Sequence, residues 1–282
     1  MPFTQPQRDF DIAWAFSDYI ETTYGTPLAF TAIQRSNAFD TPEAFVIEKE
    51  RKTNAAKFGK GHEWATTSRD VAQSLRFTRS GDLSTLIAGL FLPLSMGKVV
   101  TVGAVPPYDH TITPKLLADG LGCPSTTVFV LKTAGVRGRA DGVVCNDWSI
   151  SGRNREAVQY TANFLGSGRL TNEAHSSMPA FSSELILIGG DVVVNMGAPG
   201  AAVNIGERIQ DWTVTYNQNL PVALAAFPGT GLYNGRMFIG PRRLTVTLRA
   251  FSDETSDFFD LFTNGTVQEV SFNCAGDANN HL

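Results

Sequence analysis

The 282-residue chain carries 23 Lys and Arg against 27 Asp and Glu, a net charge of −4, with 43% hydrophobic and 18% charged residues. That balance excludes a protein that binds nucleic acid by neutralising phosphates. The charge fraction falls below the roughly 25% usual for soluble chains, which fits a surface destined to be covered by other subunits. Cys123, Cys145 and Cys274 are odd in number and far apart, so neither a disulfide framework nor a thiolate metal site follows. The N-terminus lacks the basic flank and apolar run of a signal peptide, and the longest apolar run, residues 86–94, is too short to span a bilayer. A soluble chain kept in the cytoplasm of its host is expected, of a length that suits one large domain.

Residues 1–45 are punctuated by Pro2, Pro6, Gly25, Pro27 and Pro42 and read as an N-terminal arm. Within it, Ile12, Phe16 and Tyr19 stand at helical spacing and predict a short helix over 11–19. The mixed-charge run Glu48-Lys-Glu-Arg-Lys52 and the following Phe58-Gly-Lys-Gly-His-Glu-Trp64 read as an exposed loop. A helix is expected over 82–92, capped by Asp82, with Leu83, Leu86, Ile87 and Leu90 as its apolar face and Pro93 and Gly97 ending it. The Pro- and Gly-rich passage 98–122 reads as a long loop or an extended hairpin.

From residue 126 the pattern changes to strands separated by Gly, Asn and Pro: 126–133, 142–151, 157–165, 184–194, 209–216, 243–251 and 267–272. Such a series is the mark of an antiparallel sandwich or barrel. In Arg243-Leu-Thr-Val-Thr-Leu-Arg249, Leu244, Val246 and Leu248 point one way and the Arg and Thr residues the other. A second helix is expected after Ser252 or Asp253, with Phe258, Phe259, Leu261 and Phe262 as its bulk and Gly265 past its end. The fold class is thus mainly β, two packed antiparallel sheets with one or two flanking helices, in a single domain over 46–282.

An internal echo lies inside the strand-rich part. Asp147-Trp-Ser-Ile-Ser151 returns 64 residues later as Asp211-Trp-Thr-Val-Thr215, and Phe164-Leu-Gly-Ser-Gly168 is echoed by Phe227-Pro-Gly-Thr-Gly231. Alternation places Trp148 and Ile150 on one face and Ser149 and Ser151 on the other, and Trp212, Val214 and Tyr216 repeat this. The expectation is two equivalent hairpins, one in each sheet, packing their Trp residues into a common core.

Motifs that carry chemistry do not hold together. Ser95-Met-Gly-Lys98 has the Ser-x-x-Lys spacing of penicillin-recognising enzymes, but the companion motifs are absent or altered. Gly59-Lys-Gly61 and Gly166-Ser-Gly168 lack the helix and Lys-Ser/Thr of a phosphate loop, so they read as turns. His62, His110, His175 and His281 are dispersed without metal-ligand spacing, and His110 is assigned a local hydrogen bond. Trp64, Trp148 and Trp212 read as core residues rather than base-stacking platforms. No catalytic, cofactor-binding or metal-binding residue is assigned. Charge is uneven, however: residues 49–79 are basic, while after Arg249 only acids appear, among them Asp253, Asp257 and Asp260. Complementary patches of that kind are expected to steer assembly.

Gly61-His-Glu-Trp64, Leu94-Ser-Met-Gly97, Asp109-His-Thr-Ile-Thr113, Pro124-Ser-Thr-Thr-Val-Phe-Val130, Gly142-Val-Val-Cys-Asn-Asp-Trp-Ser-Ile150, Ile209-Gln-Asp-Trp-Thr-Val214 and Arg242-Arg-Leu-Thr-Val-Thr-Leu248 follow one another in an order that resembles the major tail tube proteins of long-tailed, siphovirus-like bacteriophages. The resemblance covers nearly the whole chain and rests on order and spacing. It implies a structural subunit of the virion tail that needs no cofactor and forms hexameric rings stacked into a tube. It further implies tape measure, terminator and initiator proteins as partners, and double-stranded DNA that crosses the lumen without specific binding. No membrane partner is implied. The inner tube of a contractile tail or injection machine shares this fold. A monomeric carbohydrate-binding β-sandwich is the reading from another class, and it would place Trp148 and Trp212 at the surface.

Overall fold

In the computed structural model of the protein, the described residues are 11–15, 21, 23–27, 33–35, 46–55, 65–102, 109–119, 122–131, 137–172, 186–221, 235, 237–251 and 267–274. They form β1 (Asp11–Ala15), β2 (Ile33–Arg35), β3 (Val46–Ala55), β4 (Ala65–Asp82), α1 (Thr85–Met96), β5 (Gly97–Val102), β6 (Asp109–Pro114), β7 (Thr126–Leu131) and β8 (Arg137–Arg153). These are followed by β9 (Gln159–Gly166), β10 (Leu170–Asn172), β11 (Val192–Gly197), β12 (Val203–Asn204), β13 (Ile209–Asn217), β14 (Arg243–Ala250) and β15 (Glu269–Cys274). Short 3-10 turns lie at Leu117–Asp119, Gly189–Asp191 and Gly206–Arg208. The mainly β, antiparallel fold expected from the strand series is present.

β8 organises the molecule. Its first half pairs with β7 and β10, and its second half pairs with β9 and β13. Ten strands are thereby joined into one sheet that also takes in β1, β2, β3, β4 and β14. A bulge between Cys145 and Asp147 lets the strand change neighbours, because the extra residue there resets which side chains face the core. Before the bulge Val143 and Cys145 point into the main core; after it Trp148 and Ile150 do. A three-stranded sheet in the order β12-β11-β15 packs on this face through Val192, Val194 and Phe272, so two sheets enclose the core with α1.

α1 supplies the rest of that core. Ser84 caps it by accepting from the Ile87 N–H at 3.3 Å, and Ile87, Leu90, Phe91 and Leu94 are buried. The expected cap, Asp82, is instead the last residue of β4, and the helix continues through Pro93 to Met96. A proline this near the helix end removes little of the hydrogen-bond ladder. Gly97 then stops the helix with φ 91°, a left-handed conformation open to glycine, and donates to the Pro93 carbonyl. Phe91 stacks on Tyr160 at 5.5 Å between ring centroids, and Phe77 stacks on Phe164 at 5.0 Å. Burying one such ring contributes about 1.5–3 kcal/mol.

Several expectations are corrected. Residues 11–15 form a strand, not a helix, because pairing from Asp11↔Leu131 to Trp14↔Val128 gives the segment a sheet partner. Glu48 to Lys52 belong to β3, not to a loop, and β3 pairs with the 18-residue β4; residues 56–64 lie outside the described residues. The passage 98–122 is largely the hairpin β5–β6. The stretch 184–194 is not one strand: isolated bridges at Ile186 and Ile188 and the 3-10 turn at Gly189–Asp191 precede β11. The second helix, the acidic segment after Ser252 and the echo at 227–231 fall outside the described residues.

The Trp repeat also folds differently from expectation. β8 and β13 are not in separate sheets; they are direct neighbours, with Trp148↔Tyr216, Ile150↔Val214 and Gly152↔Trp212 opposed. The two copies of the motif therefore face each other about a local two-fold axis between Ile150 and Val214.

Candidate lumen and assembly surfaces

Six strands, in the order β3-β4-β9-β8-β13-β14, form a sheet whose two faces differ sharply in chemistry. One face is the core. Trp148 and Trp212 are 4% and 5% exposed, so neither can offer an aromatic platform to a sugar, and the carbohydrate-binding alternative loses its feature. The Trp148 Nε1–H donates to Ser95 Oγ at 2.9 Å, and Ser95 Oγ–H donates to the Leu92 carbonyl at 2.9 Å. Ser95 is thus a buried structural partner of an indole. Lys98 pairs with Asp119 at 3.5 Å.

The other face is built from lateral polar rows, because successive strands present their alternate residues in register. Thr78, Asn163, Asp147, Asn217 and Arg243 form one row across five strands. Ser80, Thr161, Ser149, Thr215 and Thr245 form the next, and all five side chains are hydroxylic. Asp82, Gln159, Ser151, Thr213 and Thr247 form the third. Arg153, Asp211 and Arg249 close the series. Hydrogen bonds run along the first row: Thr78 Oγ1 donates to Asn163 Oδ1 at 2.6 Å, and Asn163 Nδ2 donates to Asp147 Oδ1 at 2.5 Å. Gln159 Nε2 donates to Asp82 Oδ1 in the third. Arg249 is paired with Asp211 at 3.1 Å, so a cation at the edge is matched by a carboxylate on the neighbouring strand.

The edges of this sheet are open among the described residues. β3 pairs only with β4, and β14 only with β13. On β14 the alternation expected from the sequence is present, yet Leu244 is 60% exposed and Val246 38%, so the apolar side of the strand is only partly used by its own chain. The basic stretch at 49–79 is partly neutralised where it lies: Arg51 pairs with Asp70 at 2.9 Å and Arg76 with Glu48 at 2.9 Å.

A buried carboxylate ties an N-terminal residue to the sheet. Glu21 accepts from the Gly25 N–H at 2.7 Å, Ser125 Oγ at 2.7 Å, Thr127 Oγ1 at 2.8 Å and the Gly142 N–H at 3.0 Å. Burial pushes its carboxyl above the usual range, opposed by those four donors. Nothing in the sequence marked Glu21, since three of its four donors lie more than a hundred residues away.

Gly166-Ser-Gly168 is a turn, with Ser167 Oγ donating to the Asp141 carbonyl at 2.8 Å. His110 meets Thr101 Oγ1 across the β5–β6 ribbon at 2.9 Å. Among the described residues no group of three His, Cys, Asp or Glu is placed to hold a metal, and no helix is long and apolar enough to cross a membrane. The three cysteines are free and buried.

A β-rich chain with a two-faced sheet, open edges and half-covered apolar strands has the make-up of an assembly subunit. The chain belongs to the phage tail tube protein family, which matches residues 19–282. It is accordingly a structural component of the virion tail. A search of curated proteins finds no match.

Proposed function

We propose that this protein is the major tube subunit of a long, non-contractile phage tail, forming hexameric rings that stack into the channel for genome delivery. The observation that carries the reading is the six-stranded sheet with one hydroxylic face and two open edges. All its neighbouring strands are antiparallel, so β3 and β14 at the two edges run in opposite directions. Joining β14 of one copy to β3 of the next keeps every joint antiparallel, and a heterologous contact of this kind closes into a ring when the rotation permits. Ring closure also removes the exposed edges. A register that sets Glu48 or Glu50 on the polar side of β3 opposite Arg249 on the polar side of β14 would favour the correct neighbour.

With the core face turned outward to α1 and the second sheet, the polar rows line the channel. Hydroxyls and amides wet such a wall without attracting phosphates, and the arginines on this face lie at the β14 edge, at the end of the rows, or on β3 and β4, where Arg51 and Arg76 are paired with Asp70 and Glu48. DNA then passes without the salt-dependent affinity that a basic wall would add. Tape measure protein inside the tube, and terminator and initiator proteins at its ends, are the partners this role requires. Negative-stain microscopy of the purified protein tests it. Hollow tubes or rings with six-fold end views are expected, and a species that stays monomeric at high concentration would refute the proposal.

A further inference from the structure

We propose that the subunit binds a small inorganic anion of halide size among the donors that surround Cys123, at the place where β13 ends and β14 begins. Three polar atoms there are shut off from solvent and, among the described residues, meet no hydrogen-bond partner: Tyr24 Oη, Tyr216 Oη and Arg242 Nε. A buried donor left unpaired is costly, so such groups in folded proteins are matched by protein, ordered water or an ion.

The three belong to one neighbourhood. Tyr24 packs against the small core of Cys123, Val144, Leu220 and Met237. The Cys123 N–H donates to the Met237 carbonyl at 3.1 Å, and Gly122 bridges to Phe238, which ties this spot to the chain leading into β14. The Cys123 thiol donates to Gln218 Oε1 at 3.8 Å, and Gln218 directly follows β13, two residues after Tyr216. Lys115 Nζ reaches the Gly122 carbonyl at 3.1 Å. Burial pushes the Cys123 thiol up to about 12, with Arg242 and then Lys115 pulling the other way, so both cations act on this spot. Burial also raises both phenols, so each keeps its proton as a donor.

The balance of donors and acceptors selects the ligand. Gln218 Oε1 takes the thiol, the Gly122 carbonyl takes Lys115, and the Met237 carbonyl takes the Cys123 N–H. The Gln218 amide hydrogens go to the Cys145 and Leu94 carbonyls at 2.8 and 3.4 Å. Two acids act on the neighbourhood, and both are engaged: Glu21 by its four donors, Asp119 by the Leu116 N–H at 2.9 Å and by Lys98. Left over are two phenol O–H groups, one guanidinium N–H and positive charge. A water would bring two hydrogens that need acceptors of their own; an anion brings none and is drawn by the cations. The three atoms are closed to solvent, so the ligand is one that fits inside the subunit, a monatomic anion rather than a phosphate group or a side chain of another copy. Bound there, it fastens the entry of β14 to the end of β13 and to the turn at Tyr24, and stabilises the folded chain by mass action.

The test uses the full-length subunit exchanged into gluconate buffer and titrated with sodium bromide at constant ionic strength. The thermal midpoint should rise with bromide and saturate. Crystals grown in bromide should show an anomalous peak within hydrogen-bond reach of Tyr216 Oη and Arg242 Nε. Arg242→Gln removes the charge and the donor, and should weaken the bromide dependence about tenfold. Tyr24→Phe removes one neutral donor and should weaken it by less. A midpoint that ignores bromide would overturn the inference, as would a peak at the surface alone, an adventitious ion only. So would a water in place of the peak, or a folded Arg242→Gln protein with the wild-type dependence. If Arg242→Gln does not fold, Tyr24→Phe decides, and an unchanged dependence there would count against the site in the same way.

Discussion

Trp148 and Tyr216 stand opposite each other on β8 and β13 and stack with ring centroids 5.7 Å apart. The symmetry-related pair is Trp212 and Gly152, and the contrast between them is informative. Where Trp148 has a ring to stack on, Trp212 lies over bare backbone: a Cβ on Gly152 would come within 2.5 Å of the indole. Trp212 is also held from the far side by Phe272, with centroids 4.8 Å apart, so it cannot move away freely. Gly152→Ala should therefore destabilise the subunit by about 1–3 kcal/mol, the usual cost of overpacking a core. Chemical denaturation followed by Trp fluorescence measures it, and an unchanged midpoint would contradict the crowding.

Ser95 carries the second prediction. Its hydroxyl is the acceptor for the buried Trp148 N–H and lies 2.9 Å from it. Ser95→Ala leaves that donor unpaired among apolar side chains, at a cost of about 1–3 kcal/mol. Ser95→Thr keeps the acceptor and should cost less. Equal losses for the two would show that packing, not the hydrogen bond, sets the effect.

Glu21 makes a pH-dependent prediction. Because burial raises its carboxyl pKa in the folded state above the ordinary value of 4.5, the folded chain binds that proton more tightly than the unfolded chain. The stability linked to this proton is fully present below the unfolded pKa and is lost as pH rises through the raised folded value. Glu21→Gln removes the titration and turns an amide N–H₂ toward backbone donors, so it should be less stable than wild type at all pH, by about 1–3 kcal/mol near neutrality. The wild-type advantage should widen as pH falls from 7 through the raised pKa toward 4.5. Urea midpoints of both proteins across that range give the answer, and a gap that narrows on acidification would contradict the assignment.

How much of this was legible beforehand depended on whether a strand has two unlike faces. β13 and β14 were legible because one side packs on the core and the other meets water, so Trp212, Val214 and Tyr216 alternate with Thr213 and Thr215. Strands β3 and β4 were not. Much of their hairpin runs beyond β9, and residues such as Glu48, Lys49, Glu50 and Arg51 give no period of two when both faces are wet. Residues 11–15 misled for a different reason: Ile12, Phe16 and Tyr19 fit a helical period, but pairing with β7, more than a hundred residues away, decides the conformation. The polar rows were half visible. Ser149, Thr215 and Thr245 each face away from the core in the sequence, yet only the pairing of β8, β13 and β14 shows that they share a line.

That line bears on the channel wall, where the last prediction lies. Thr215 is exposed in the all-hydroxyl row, one strand in from the β14 edge and on the face away from α1. Thr215→Lys leaves the core face and both edges as they are, so tubes should assemble to normal length. Repeated in every subunit, however, the substitution sets a band of ammonium groups against the passing phosphates. Each phosphate contact adds an affinity that falls with salt, so DNA ejection should slow, most at low ionic strength, and recover as salt is raised. Thr215→Ser keeps the hydroxyl and should eject at the wild-type rate. Ejection from phage carrying each variant tail, followed by a DNA-binding dye at two salt concentrations, measures this. A lysine variant with normal tubes and unaltered, salt-independent ejection would show that this face of the sheet does not line the channel.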